Sequence, residues 1–264
     1  MRGAEPITIP GDGRPAVLLL HGFGDTPQTL HYLADALAHA GVGVRAPLLP
    51  GHGRSLRAFA SVRAEDWLHA ARAELQALRA STERVAIVGL SMGGALAAIL
   101  AAEWPELPAL GLLAPYLAMP GPVERMARAW WLWGPLAGYL DGRGTRSILD
   151  PAEQQRSLAY GAVPASALRE LRRVVRWAQR ALPRVAAPAL VIQSRQDNRI
   201  NPAAAEWAFE RLGSREKQLV WLDASGHIIT VDRQRDAVFA LLVPWLEQRL
   251  RASPTNSVSG ASVG

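Results

Sequence analysis

The chain contains no cysteine. Disulfide bridges, thiolate metal sites and cysteine nucleophiles are therefore excluded. Lysine is nearly absent too: Lys217 is the single one, and every other residue among the 29 basic ones is arginine. Long apolar runs are also missing. The longest, near Trp130 to Leu140, is interrupted by Gly134, Pro135 and Gly138 and is too short to span a bilayer. The opening residues Met1-Arg2-Gly3-Ala4-Glu5-Pro6 lack the apolar core of a signal peptide. A soluble, cytoplasmic protein is the expectation. No internal repeat is visible.

What is present is enough for a large core. The 264 residues are 49% hydrophobic, which suits a globular chain with room for one inserted subdomain. The net charge of +6 raises the question of a nucleic acid or an anionic membrane. The arginines are spread along the chain, however, so no nucleic-acid partner is expected. One cluster is ordered: Arg169, Arg172, Arg173, Arg176 and Arg180 share a helical face opposite Leu168, Leu171, Val175, Ala178 and Leu182. The main reading is a solvated face. Weak membrane-surface contact is the lesser one.

Short apolar runs alternate with helical patterns. Strands are expected at Ala16 to Leu20, Val42 to Ala46, Val85 to Leu90, Leu110 to Leu113, Ala189 to Gln193 and Gln218 to Leu222. Thr26-Pro27 opens a helix with a capping hydroxyl and a proline at its start. Leu30, Leu33, Ala34 and Leu37 give that helix its buried stripe. Trp67, Ala71, Leu75 and Leu78 mark a second helix. Val238, Leu241, Leu242 and Trp245 mark the last, where Pro244 is expected to introduce a kink. Alternating βα units predict an α/β fold, a mostly parallel twisted sheet with helices on both faces. The regularity breaks between Pro115 and Pro188. Residues 116–187 read as an inserted helical cap on a core formed by 1–115 and 188–250, and 251–264 as a disordered tail.

Gly89-Leu90-Ser91-Met92-Gly93-Gly94 joins one predicted strand to a helix-forming run. A G-x-S-x-G pattern in that context holds the serine in a strained turn, with its hydroxyl projecting from the sheet edge. A Cβ at Gly89 or Gly93 would meet neighbouring backbone. A serine hydroxyl needs a base, and the base needs an orienting carboxylate. Of the six histidines, His31, His39 and His69 fall in helical patterns, and His21 and His52 in glycine-rich loops near the N-terminal half. His227 follows the last strand and shares the carboxyl-terminal sheet edge with Ser91. Asp197, just past the strand at Ala189, is the favoured carboxylate. Asp223 is the rival, although four residues from His227 it is better placed to cap a local turn. Two N–H groups for an oxyanion are expected from Met92 and from Phe23 in His21-Gly22-Phe23-Gly24.

These segments together resemble the α/β-hydrolases, and more narrowly the bacterial carboxylesterases and monoacylglycerol lipases with a small helical cap. The likeness runs from His21 to about Leu250. It rests also on Gly51-His52-Gly53, Asp66-Trp67, Ile200-Asn201-Pro202 and Ser225 to Asp232. It implies Ser91 as nucleophile, His227 as base, Asp197 as acid, and Phe23 and Met92 as amide donors. It also implies an ester hydrolase without metal or cofactor, acting on short or medium acyl esters or monoacylglycerols. Gly24-Asp25 stands where a small polar residue and glycine would be more usual. Thioester hydrolysis, acyl transfer and carbon–carbon bond hydrolysis remain alternatives on the same scaffold.

Overall fold

The structure is a computed structural model that describes residues 1–11, 13–82, 84–141 and 147–251. In chain order the elements are β1 (Ile7–Ile9), β2 (Ala16–Leu20), α1 (His31–His39), β3 (Gly43–Ala46), α2 (Leu56–Ser61), α3 (Ala64–Ser81) and β4 (Val85–Leu90). Next come α4 (Met92–Glu103), β5 (Leu110–Leu113), α5 (Gly121–Arg128), α6 (Trp130–Ala137), β6 (Tyr139–Asp141) and α7 (Pro151–Arg156). The chain continues through β7 (Ala162–Pro164), α8 (Ala165–Ala181), β8 (Ala189–Ser194), α9 (Pro202–Arg211), β9 (Lys217–Leu222) and α10 (Arg235–Arg251).

Seven strands form one sheet in the order β1-β3-β2-β4-β5-β8-β9, and β6 pairs with β7 in a separate ribbon. Every pairing in the large sheet is parallel except β1 with β3. The six strands expected from sequence are all present, within a residue at their ends. β1 was not anticipated; its Ile-Thr-Ile alternation lies between Pro6 and Pro10, which confine it to a short edge strand. Thr26 accepts a hydrogen bond from Gln28 N–H, but the turn it opens, Pro27–Leu30, is a 3-10 helix that leads into α1. The last helix runs through Pro244 to Arg251. Of the expected tail 251–264, Arg251 ends α10 and the residues from 252 onward lie outside the described residues.

The sheet is buried on both faces, as a parallel sheet requires. Side chains alternate: Leu18 and Leu20 of β2 enter one apolar cluster, Val17 and Leu19 the other. The second cluster is closed by α1 and α10, while α3, α4 and α8 cover the first. α4 is buried from Met92 to Ala101 on every side, because α8 roofs it. This explains the composition of α4, whose small residues let sheet, helix and roof approach closely.

The tightest approach is at the start of α4. A Cβ on Gly93 would stand 2.0 Å from Leu20 O, and one on Gly89 2.2 Å from Gly93 O. Neither neighbour is a side chain that can swing away. Gly93→Ala is therefore expected to lower the melting temperature by about 10 °C or more, or to abolish soluble expression. Thermal denaturation followed by circular dichroism checks this.

Candidate active site

Parallel strands deliver their carboxyl-terminal ends to one edge of the sheet. The loops leaving β2, β4, β8 and β9 there carry Phe23, Ser91, Asp197 and His227. The structure brings all of these residues together.

Ser91 sits between β4 and α4 with φ 55° and ψ −118°, a conformation a non-glycine residue rarely adopts. Four hydrogen bonds hold it there. Its N–H donates to Leu113 O at 3.0 Å, and its carbonyl accepts from Gly94, Ala95 and Tyr116 N–H at 2.9, 3.3 and 2.9 Å. The hydroxyl lies 2.8 Å from His227 Nε2. His227 Nδ1 lies 2.8 Å from Asp197 Oδ2. Asp197 Oδ2 also accepts from Gln193 Nε2 at 2.7 Å, and Oδ1 accepts from Arg199 and Ile200 N–H at 2.7 and 2.9 Å. Burial works to raise the Asp197 pKa. The facing His227 and the two backbone N–H groups outweigh it and hold the carboxyl below its ordinary value. The side chain of the rival Asp223 is 79% exposed and faces Arg195 at 3.3 Å.

The N–H of Met92 opens α4, and the N–H of Phe23 lies in the loop after β2. Neither donates a hydrogen bond to any described residue. Gly22 brings that loop against Ser91; a Cβ there would stand 3.3 Å from Ser91 Cβ. The Phe23 ring rests on Phe59 and Trp67, with centroids at 4.8 and 5.8 Å. Tyr160 braces the loop from the far side. Its N–H donates to Gly24 O at 3.2 Å, while its hydroxyl donates to Gly51 O at 2.8 Å and accepts from Arg54 N–H at 3.0 Å.

Three residues that sequence reasoning left without a role hold this arrangement. His21 is fully buried and bridges two loops: Nδ1–H donates to Gly22 O at 2.9 Å, and Nε2 accepts from Leu49 N–H at 3.1 Å. That pair of bonds requires the neutral ring. Burial agrees, lowering its pKa to about 4. His52 packs edge-on to His21 at 4.9 Å and against Phe59 at 4.7 Å, and desolvation also carries its pKa well down. Asp232 is the third. Its buried carboxylate accepts from four backbone N–H groups: Leu149 at 2.9 Å, Asp150 at 2.8 Å, Gly226 at 2.6 Å and Arg233 at 2.9 Å. It ties the residue before His227 to the chain entering α7. The only sequence signal for these residues was their place in segments that carried the family likeness.

Above Ser91 opens a cavity of about 420 Å³. Its apolar wall includes Ile148, Val163, Leu168, Leu171 and Ile228, and Asp25, Tyr116 and Arg199 contribute polar groups. Asp25 stands apart. Burial raises its pKa to about 6, against the opposing Thr26 N–H, Thr29 hydroxyl and His227. Among the described residues no three His, Asp or Glu side chains gather as a metal site would need. No described helix is long and apolar enough to cross a membrane.

The sequence matches the family described as serine aminopeptidase, S33, over residues 11–234. The chain belongs to this family. Its fold is that of the α/β-hydrolases, and the chain is a carboxylesterase-type hydrolase. It is 32% identical over 232 residues to a thermostable monoacylglycerol lipase of Bacillus sp. strain H-257, spanning 88% of this chain and 90% of that protein. It is 26% identical to a carboxylesterase of Bacillus subtilis strain 168, over 92% of this chain and 96% of the relative. Among solved structures it resembles one described with the metagenome-derived lipolytic enzymes LipS and LipT. The TM-score is 0.86 at 32% identity, covering 94% of this chain and 99% of the other.

Two outcomes follow for the α/β-hydrolase framework. Asp232→Ala would leave four buried N–H groups without an acceptor. Stability is expected to fall by about 3 kcal/mol or more in urea titration, with kcat falling as the His227 loop loosens. The second concerns acid. His21 and His52 have lower pKa values in the fold than the ordinary 6.5, so the unfolded chain takes up their protons first. Their stabilising effect is complete above about pH 6.5 and is lost as the pH falls toward 4. Asp25, shifted upward, works in the opposite sense between about 6 and 3.8. His52→Phe is expected to flatten the fall of the urea midpoint between pH 6.5 and 4.5.

Proposed function

We propose that this serine hydrolase cleaves short or medium acyl esters, or monoacylglycerols, through an acyl-enzyme. The supporting observation is the unbroken hydrogen-bond chain from Asp197 through His227 to Ser91, opening into an apolar cavity. Ser91 Oγ attacks the ester carbonyl as His227 Nε2 takes its proton. Asp197 holds Nδ1–H, fixing the tautomer and favouring the imidazolium that forms. The carbonyl oxygen becomes an anion between the N–H groups of Phe23 and Met92, at the positive end of α4. His227 returns the proton to the departing alcohol. Water, activated by the same imidazole, then frees the acid. Residues 116–187 serve as an inserted cap over the core of 1–115 and 188–250, and Leu168 and Leu171 of that cap form the acyl wall. The names of the two Bacillus relatives support an ester or a monoacylglycerol as the substrate.

Hydrolysis of p-nitrophenyl esters of graded acyl length and of monoacylglycerols, beside matched thioesters and acceptor alcohols, tests this. Esters should be turned over fastest. Ser91→Ala should lower kcat by a factor on the order of 10⁴ to 10⁶ and abolish labelling by a fluorophosphonate. Asp197→Asn should cost roughly 10³ to 10⁴ in kcat, because the amide favours the wrong tautomer. Faster thioester turnover or acyl transfer would replace the ester reading, and wild-type rates in Ser91→Ala would end it.

A further inference from the structure

Asp25 has no part in the mechanism above, although it lines the same cavity as Ser91. It is 4% exposed and stands two residues past Phe23. One carboxylate oxygen accepts from Thr26 N–H at 2.9 Å. The other is buried and has no hydrogen-bond partner among the described residues. A carboxylate so placed costs free energy, and desolvation raises its pKa to about 6. The fold carries that cost beside its imidazole. Asp25 and His227 both line the cavity, and their loops are fastened together. Thr230, three residues past His227, donates its hydroxyl to Thr29 O at 2.6 Å, and Thr29 lies four residues past Asp25. Tyr160 N–H holds the neighbouring Gly24 O at 3.2 Å.

We propose that the Asp25 carboxylate acts on the reaction through His227, favouring the imidazolium that forms as Ser91 gives up its proton. This role rests on the serine mechanism proposed above. Two carboxylates then serve one ring. Asp197 does so by contact at Nδ1, and Asp25 by its field, which is little screened because the group is buried. The surrounding groups leave His227 as the charged counterpart of Asp25. The other titratable side chains of the cavity wall are Tyr116, Tyr160 and Arg199. Burial raises the pKa of both phenols, that of Tyr116 to about 12, so both stay neutral. Arg199 donates to Ser147 Oγ at 2.7 Å and interacts electrostatically with Tyr116 and Asp197. His21, at the start of the Asp25 loop, is neutral. His31, at the start of α1, is turned to Gln28 O. On α7, Glu153 is paired with Arg156 at 2.9 Å. Asp232, on the His227 loop, is taken up by four backbone N–H groups. When a proton neutralises Asp25 its field is lost, so activity responds to two coupled protons rather than one.

The test is the pH dependence of kcat/KM for p-nitrophenyl butyrate in the wild type and in Asp25→Asn. The amide keeps the shape of the side chain and removes its charge. Beside an ionised Asp25 the imidazole holds its proton more tightly; without that charge it releases the proton at lower pH. The acid limb of Asp25→Asn should therefore move down by about half a pH unit or more. It should also become shallower, since one proton remains where two were coupled. The plateau should fall several-fold, because a less basic imidazole takes the Ser91 proton less readily. NMR of histidine-labelled protein should show the His227 ring titrating lower by the same amount. Asp25→Ser, a second neutral variant, should move the limb in the same direction. An unmoved acid limb in folded, active variants would overturn the proposal. So would a lower plateau with no shift of the limb, the mark of a merely structural part. Failure of the wild type to hydrolyse any ester, with the ring titration still moved down in Asp25→Asn, would count against the serine mechanism and leave the coupling standing.

Discussion

Ser91 is held in a backbone conformation that costs energy, and the close approach of β2 to the start of α4 is what keeps it there. Leu20 O lies where a Cβ of Gly93 would be, so strand and helix meet at backbone distance. The corner between β4 and α4 cannot relax without separating them. Because β2 is pressed against that corner, the loop that follows it passes Ser91 at once, and a Cβ on Gly22 would stand 3.3 Å from Ser91 Cβ. Ser91 and the loop that carries Phe23 are thus brought together by one packing contact.

The polar groups around this corner obey a single rule: each buried charge or ring nitrogen with a positioning task has a partner. Asp197 accepts four hydrogen bonds, as does Asp232. His21 spends both ring nitrogens on backbone. Two groups are exceptions: buried His52 Nε2 has no hydrogen-bond partner among the described residues, and neither has one carboxylate oxygen of Asp25. Its upward pKa shift is the physical consequence. The aromatic packing of His52, Phe59 and Trp67 supports the Phe23 loop from below, which gives Gly51-His52-Gly53 and Asp66-Trp67 a mechanical role.

Much of this was legible in the chain because parallel βα units fix where strands end. Once Val85 to Leu90 and Gln218 to Leu222 were read as strands, Ser91 and His227 had to emerge on the same edge. Asp197 was separable from Asp223 by spacing alone, and the structure places the latter in solvent. Other features were not legible because they depend on contacts distant in sequence. Buried Glu170 of α8 accepts from Ala64 N–H, Arg169 and Arg173, and the Ala64 partner lies over a hundred positions away. The four donors of Asp232 come from two segments more than seventy positions apart. The β6–β7 ribbon is built from three-residue strands, too short to carry a periodic signal.

The roofing of α4 by α8 has a consequence for anyone who would reshape the cavity above Ser91 by exchanging residues 116–187 with those of a relative. Met92 to Ala101 have no polar side on which water could replace α8. A graft that omits Leu168 to Ala181 would strip the helix behind Ser91 and expose a stretch of alanine, leucine and isoleucine. Exchange of α5, α6 and the ribbon leaves that cover in place. The workable seam therefore falls within residues 116–187, ahead of α8, and not at the two prolines that flank them in the sequence.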